Sequence, residues 1–257
     1  MILSDENRYL YIEQPHTACS ATQAELRALY AGKPILEKHA TYADFLRIAT
    51  PEQKRYFIFS GIRNPLDEAV SLYFKYRTDH NRKYSKLFHS LSERQRESFK
   101  YVTDEQADFI TYLRRFYRRP FDNDTIIRHR QMDQIVRFEH LQEDFSRALE
   151  LLGLEQVRPL PMLNQTSERG DYRDYYPPEV RAHAAWVFGP FMRKWGYELP
   201  PEWGMDVPRS AIVVFRLLTP IRYLNRRYVK GQTRPLSRIA NSVLSRVRRS
   251  AFGILGW

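Results

Sequence analysis

One cysteine, Cys19, stands in 257 residues, so no internal disulfide can staple the chain. It opens no phosphatase loop of the C-x-x-x-x-x-R type, because Glu25 occupies the arginine's place. No G-x-x-x-x-G-K-[ST] occurs, which removes the usual signature of ATP or GTP hydrolysis. No Cys/His cluster has ligand spacing, and no metal is expected. No uninterrupted apolar run reaches ~18 residues, the length that crosses a bilayer as a helix. Met1 to Arg8 lacks the basic start and apolar centre of a secretory signal, so a cytoplasmic location is expected. Acidic residues are absent from Pro208 to Trp257, where eleven Lys and Arg carry as much charge as the +11 of the whole chain. The body before them is formally neutral.

What the body does contain is an apolar strand that runs directly into a polar turn and a helix. Phe57, Ile58 and Phe59 have strand character, Arg63-Asn64-Pro65 follows, and Pro65 fits the first position of a helix that carries Ser71. Arg63 then stands at the carboxyl end of a strand, where open α/β sheets bind ligands. Its guanidinium offers a charge-assisted fork, and Ser71, two turns along, adds a hydroxyl donor. The pair suits a terminal phosphate.

A second strand-turn-helix lies at the amino end. Tyr9-Leu10-Tyr11-Ile12-Glu13 reads as a strand, Gln14-Pro15-His16-Thr17-Ala18-Cys19-Ser20-Ala21 as a tight turn of mostly small residues, and a helical run follows through Glu25, Leu26, Leu29 and Tyr30. Unpaired N–H groups at a helix start, together with the helix dipole, form an anion cradle. Cys19 at such a position can acquire a lowered pKa, but packing is its expected role. Further on, Thr41 and Asp44 have the spacing of a capping box, and Lys38-His39 immediately precede it.

These two elements resemble those of the nucleotide-dependent sulfotransferases. That family's 3′-phosphate element has an Arg, a Pro two positions on and a Ser eight positions after the Arg, as Arg63, Pro65 and Ser71 stand here. Its 5′-phosphosulfate loop commonly reads Pro-Lys-Thr-Gly-Ser-Thr-Ser. This chain keeps Pro15, Thr17 and small residues from 18 to 21, but has His16 for the lysine and departs again at Cys19, Ser20 and Ala21. The resemblance implies 3′-phosphoadenosine 5′-phosphosulfate (PAPS) as co-substrate, held by His16, Thr17, Ala18, Cys19, Ser20, Ala21, Arg63 and Ser71. The family lysine stabilises charge on the departing bridging oxygen, a task His16 can perform when protonated, and the donor's negative charges favour that form. His39 is similar in position to the proposed general base of uronyl 2-O-sulfotransferases, and Lys38 beside it supplies positive charge; polar loop residues ahead of a helix are the plainer alternative.

The same resemblance continues through Arg137-Phe138-Glu139-His140-Leu141, a helix ended by Gly153, a loop with Asn164 and Ser167, and a long helix from about Pro178 to Trp195. It implies a three-layer, P-loop-like α/β fold with a mainly parallel sheet over residues 1–207, interrupted by an insertion at about 78–103. The acceptor it implies is a hydroxyl on a carbohydrate or glycolipid. Residues 208–257 form a basic amphipathic tail, with Val214, Leu217, Ile221, Leu224 and Tyr228 at helical spacing and Arg216, Arg222, Arg226, Arg227 and Lys230 on the other side. A weaker second helix runs past Pro235. The tail suits an anionic membrane surface, such as the inner face of the cell membrane, while a lid packed on the body or a disordered end stay open as alternatives. A P-loop-like nucleotide kinase and a degenerate nucleotide- or nucleic-acid-binding protein remain rival functions. No recognition motif accompanies the basic tail, and no nucleic acid is expected.

Overall fold

The computed structural model describes residues 1–123, 132–161 and 170–228. Asn164, Ser167 and the second tail helix lie outside the described residues. The strands are β1 (Ile2–Ser4), β2 (Tyr9–Ile12), β3 (Lys33–Pro34), β4 (Phe57–Ile62) and β5 (Gln134–Arg137). The helices among the described residues are α1 (Cys19–Leu29), α2 (Tyr42–Ile48), α3 (Pro65–Arg77), α4 (Lys83–Lys86), α5 (Glu93–Thr103), α6 (Phe109–Phe116), α7 (Leu141–Leu151), α8 (Pro178–Lys194) and α9 (Arg209–Tyr228).

The protein is α/β, with a five-stranded sheet in the order β3-β1-β2-β4-β5. β2, β4 and β5 run parallel, in the register Tyr11↔Phe59 and Phe59↔Gln134. β1 is antiparallel to both β2 and β3, so the sheet is mixed and not mainly parallel. The cause is local. Only Asp5 to Arg8 joins β1 to β2, far too few residues for a parallel crossover, and Arg8 turns the chain with φ 54.

Two compact units divide the chain. Of the described residues, the first holds 1–62, 123, 132–161 and 218–228, and the second holds 63–122 and 170–217. In the first, Tyr9 and Tyr11 of β2, Phe59 of β4 and Val136 of β5 pack with Cys19 and Leu26 of α1 and with Phe145, Ala148 and Leu149 of α7. The Tyr11 and Phe59 ring centroids lie 5.0 Å apart. Leu10, Ile12 and Ile58, which alternate with that set, are also buried. Gly153, at φ 71, ends the α7 region in the left-handed conformation that favours glycine. Buried Glu25 of α1 accepts a forked contact from Arg158, with Nε and Nη2 each 3.0 Å from a carboxylate oxygen.

The second unit is helical, and aromatic residues fill it. Tyr73, Tyr76, Tyr84, Phe109, Tyr112, Tyr117, Tyr176, Phe188 and Trp203 belong to one buried cluster. Rings this large each bury enough area to stabilise by roughly 1.5–3 kcal/mol, and their hydroxyls need partners. Tyr73 donates to the Ala107 carbonyl at 3.0 Å, and Tyr176 to the Leu66 carbonyl at 2.9 Å. The stretch at 78–103 supplies α4 and α5 to this unit, and Tyr84 and Val102 reach its core.

In α9, Ala211 and Phe215 are the buried residues among those whose burial is described, whereas Leu217, Ile221 and Leu224 are exposed. The apolar edge marked by helical spacing is therefore the outer one. Spacing alone does not say which of two apolar edges meets a neighbour.

Candidate functional site

The first unit gathers one set of candidate residues at the end of β2. Glu13 and Gln14 are buried, and the turn beyond them is left-handed at His16 (φ 65) and Ala18 (φ 58). Such backbone costs a non-glycine residue roughly 1–2 kcal/mol, so the loop is held and not merely permitted. Thr17 does part of the holding, its Oγ1 donating to the Gln14 carbonyl at 2.9 Å. Ala18 stands where the loop of the resembling family has glycine, and it adopts a glycine-like φ. It is also the residue before α1, and it gives no side-chain cap. Ala21 N donates to the Ala18 carbonyl at 2.9 Å, while the N–H groups before it have no helical carbonyl one turn back.

Two neighbours in sequence close on this loop from the segment ahead of α2. Lys38, exposed, donates from Nζ to Ser20 Oγ at 2.8 Å, which brings an ammonium to the first turn of α1. Half-buried His39 has φ 64, and its Nδ1 lies 2.8 Å from the Glu13 carbonyl oxygen. A carbonyl only accepts, so Nδ1 carries the proton and Nε2 keeps the lone pair. Burial is the main influence lowering the His39 pKa from its ordinary value; the Glu13 contact opposes it and Lys38 adds to it. Burial and Lys38 together favour the neutral imidazole. The capping box fixes the chain just beyond, with Asp44 N donating to Thr41 Oγ1 at 3.1 Å and Thr41 N to Asp44 Oδ2 at 3.0 Å.

Cys19 is buried, and desolvation pushes its thiol pKa up despite the lowering influence of Lys38. The lowered value considered for a helix start does not arise, because the side chain points into the apolar cluster. Ala21 is buried as well, whereas His16, Ala18 and Ser20 are partly exposed. The loop thus presents backbone, His16 and Ser20.

The second unit holds Arg63 and Ser71. Asn64 caps α3, its Oδ1 accepting from Leu66 N at 3.0 Å, and Pro65 takes the first helical position. Arg63 is 4% exposed and is gripped by Asp67, with Nε 2.7 Å and Nη2 2.6 Å from Oδ2. Ser71, one turn beyond Asp67, is buried too. Tyr172 OH lies 3.3 Å from Asn64 Nδ2 and helps fix the same helix start.

Asp67, Glu13, Gln14 and Gly61 shape these two sets without having been singled out from sequence. Asp67 carried a signal, its i,i+4 spacing from Arg63. The others act through backbone atoms or through the lack of a side chain, which residue type does not announce.

Comparison with family models, with curated proteins and with solved structures finds no match.

Proposed function

We propose that the protein is a PAPS-dependent sulfotransferase with the P-loop-like fold of that class, acting on a hydroxyl of a carbohydrate or glycolipid. The observation that carries this most is the splaying of Lys38 and His39 onto the two ends of one loop, Lys38 Nζ on Ser20 Oγ and His39 Nδ1 on the Glu13 carbonyl. A cation at the start of α1 suits the departing phosphate, and a neutral imidazole with Nε2 unprotonated suits an attacking hydroxyl. His39 takes the hydroxyl proton as the acceptor oxygen bonds to sulfur. The bond from sulfur to the bridging oxygen breaks, and the resulting negative charge meets Lys38 and His16. The donor's 5′ end is assigned to the loop from His16 to Ala21, and its 3′-phosphate to Arg63 and Ser71.

Calorimetry with 3′-phosphoadenosine 5′-phosphate, adenosine 5′-phosphate and magnesium ATP tests donor choice, and a labelled-donor screen against glycans and glycolipids tests transfer. Preference for the 3′-phosphorylated nucleotide is expected, with His16→Lys retaining or raising transfer and Lys38→Ala lowering it. Equal or better binding of magnesium ATP would favour a kinase instead.

A further inference from the structure

Helix α9 turns large apolar side chains outward. Val213, Leu217, Ile221 and Leu224 are 54%, 65%, 61% and 51% exposed, while Ala211 and Phe215 are 0% and 7% exposed. At about 100° per residue the four exposed residues fall on one stripe, and Ala211 and Phe215 fall on the opposite side. Arg209 and Arg216, both exposed, lie along one side of the stripe at about 40° and 60° from Val213. A contiguous apolar stripe has a partner far more often than scattered apolar residues do.

Charge selects the partner. Asp206 is the last acidic residue of the chain, and eleven Lys and Arg follow it, five within α9 and six beyond. A second copy of α9, or residues 229–257 folding back, would set cations against Arg209 and Arg216. An anionic surface would meet them with opposite charge. No described helix is long and apolar enough to cross a membrane, so contact in the interface plane is the geometry that remains.

We propose that the outer face of α9 docks on an anionic lipid bilayer, with Val213, Leu217, Ile221 and Leu224 entering the headgroup boundary and Arg209 and Arg216 facing lipid phosphates. The contact is independent of the nucleotide chemistry. It is tested by sedimenting the full chain with phosphatidylcholine vesicles, with and without phosphatidylserine, at low and high salt. The expected result is binding only with phosphatidylserine, weakened by salt. Leu217→Ser with Ile221→Ser should weaken it about tenfold or more, with melting temperature and monomer size unchanged. Arg209→Gln with Arg216→Gln should weaken it at low salt and flatten its salt dependence. The proposal is overturned if the intact chain ignores phosphatidylserine, or if either double variant binds as well as the parent. It is equally overturned if the serine variant melts far lower or dissolves a dimer, because the stripe would then be covered by this chain or by its copy.

Discussion

Gly61 of β4 lies so close to Thr17 that a Cβ built on it would stand 2.4 Å from Thr17 Oγ1 and 3.1 Å from the Thr17 carbonyl oxygen. The strand thus approaches Thr17 so closely that a side chain at position 61 would collide with the Thr17 side chain and crowd its carbonyl. Gly61→Ala must push the loop away, at a cost of about 1–3 kcal/mol in stability. Denaturant unfolding should show that loss, and calorimetry should show weaker binding of 3′-phosphoadenosine 5′-phosphate. A variant with parental stability and affinity would mean that the loop yields freely.

Ala18 supports the opposite change. Its φ of 58 is one that glycine adopts without penalty. Ala18→Gly should therefore stabilise the protein by up to about 1 kcal/mol after the extra chain entropy of glycine is counted. Thermal unfolding reads the sign directly, and a lower melting temperature would contradict a strained loop.

His39 sets the pH behaviour. Its pKa lies below the ordinary value of 6.5, chiefly because it is buried, and the neutral form is the proposed base. Activity should rise with pH, reach its plateau once the pH exceeds that lowered pKa, and stay flat through neutrality. Lys38→Ala removes a repelling cation, so the acid limb should move upward. His39→Ala should abolish most turnover with little change in donor affinity. An acid limb unmoved by Lys38→Ala would assign it to another group. The same shift makes folding less favourable as pH falls through 6.5 toward the lowered value, since the unfolded chain binds the proton more readily.

Arg63 and Asp67 form an ion pair that is almost fully enclosed. Arg63→Ala should weaken binding of 3′-phosphoadenosine 5′-phosphate by about 2–5 kcal/mol and leave adenosine 5′-phosphate little changed. Asp67→Asn keeps an acceptor but loses the charge that orients the guanidinium, so a smaller loss of the same selectivity is expected, with a lower melting temperature. Equal losses for both nucleotides would remove Arg63 from the 3′-phosphate.

The elements that were legible in the sequence are those whose signals are local. Asn64 and Pro65 start α3, Thr41 and Asp44 box the start of α2, and Gly153 ends the α7 region, all within a few residues of the feature they announce. β1 was not legible, because Ile2–Ser4 is a strand only through its pairing with Tyr9–Tyr11 and with Lys33–Pro34. The tautomer of His39 depends on a carbonyl 26 residues away. The orientation of α9 depends on which of two apolar edges finds a neighbour, and periodicity cannot choose between them.

The buried tyrosines give each unit its own optical reporter. Burial raises the phenol pKa of Tyr9 and Tyr11 in the first unit and of Tyr76, Tyr112 and Tyr176 in the second, with Tyr84 and Tyr117 pushed up to about 12. The folded chain thus keeps protons that an unfolded chain releases near pH 10, and alkali favours unfolding progressively above that point. Phenolate absorbance from the most deeply buried of these rings should lag behind ordinary phenol ionisation and rise as their surroundings open, so the late part of an alkaline spectrophotometric titration follows the loss of the packed clusters.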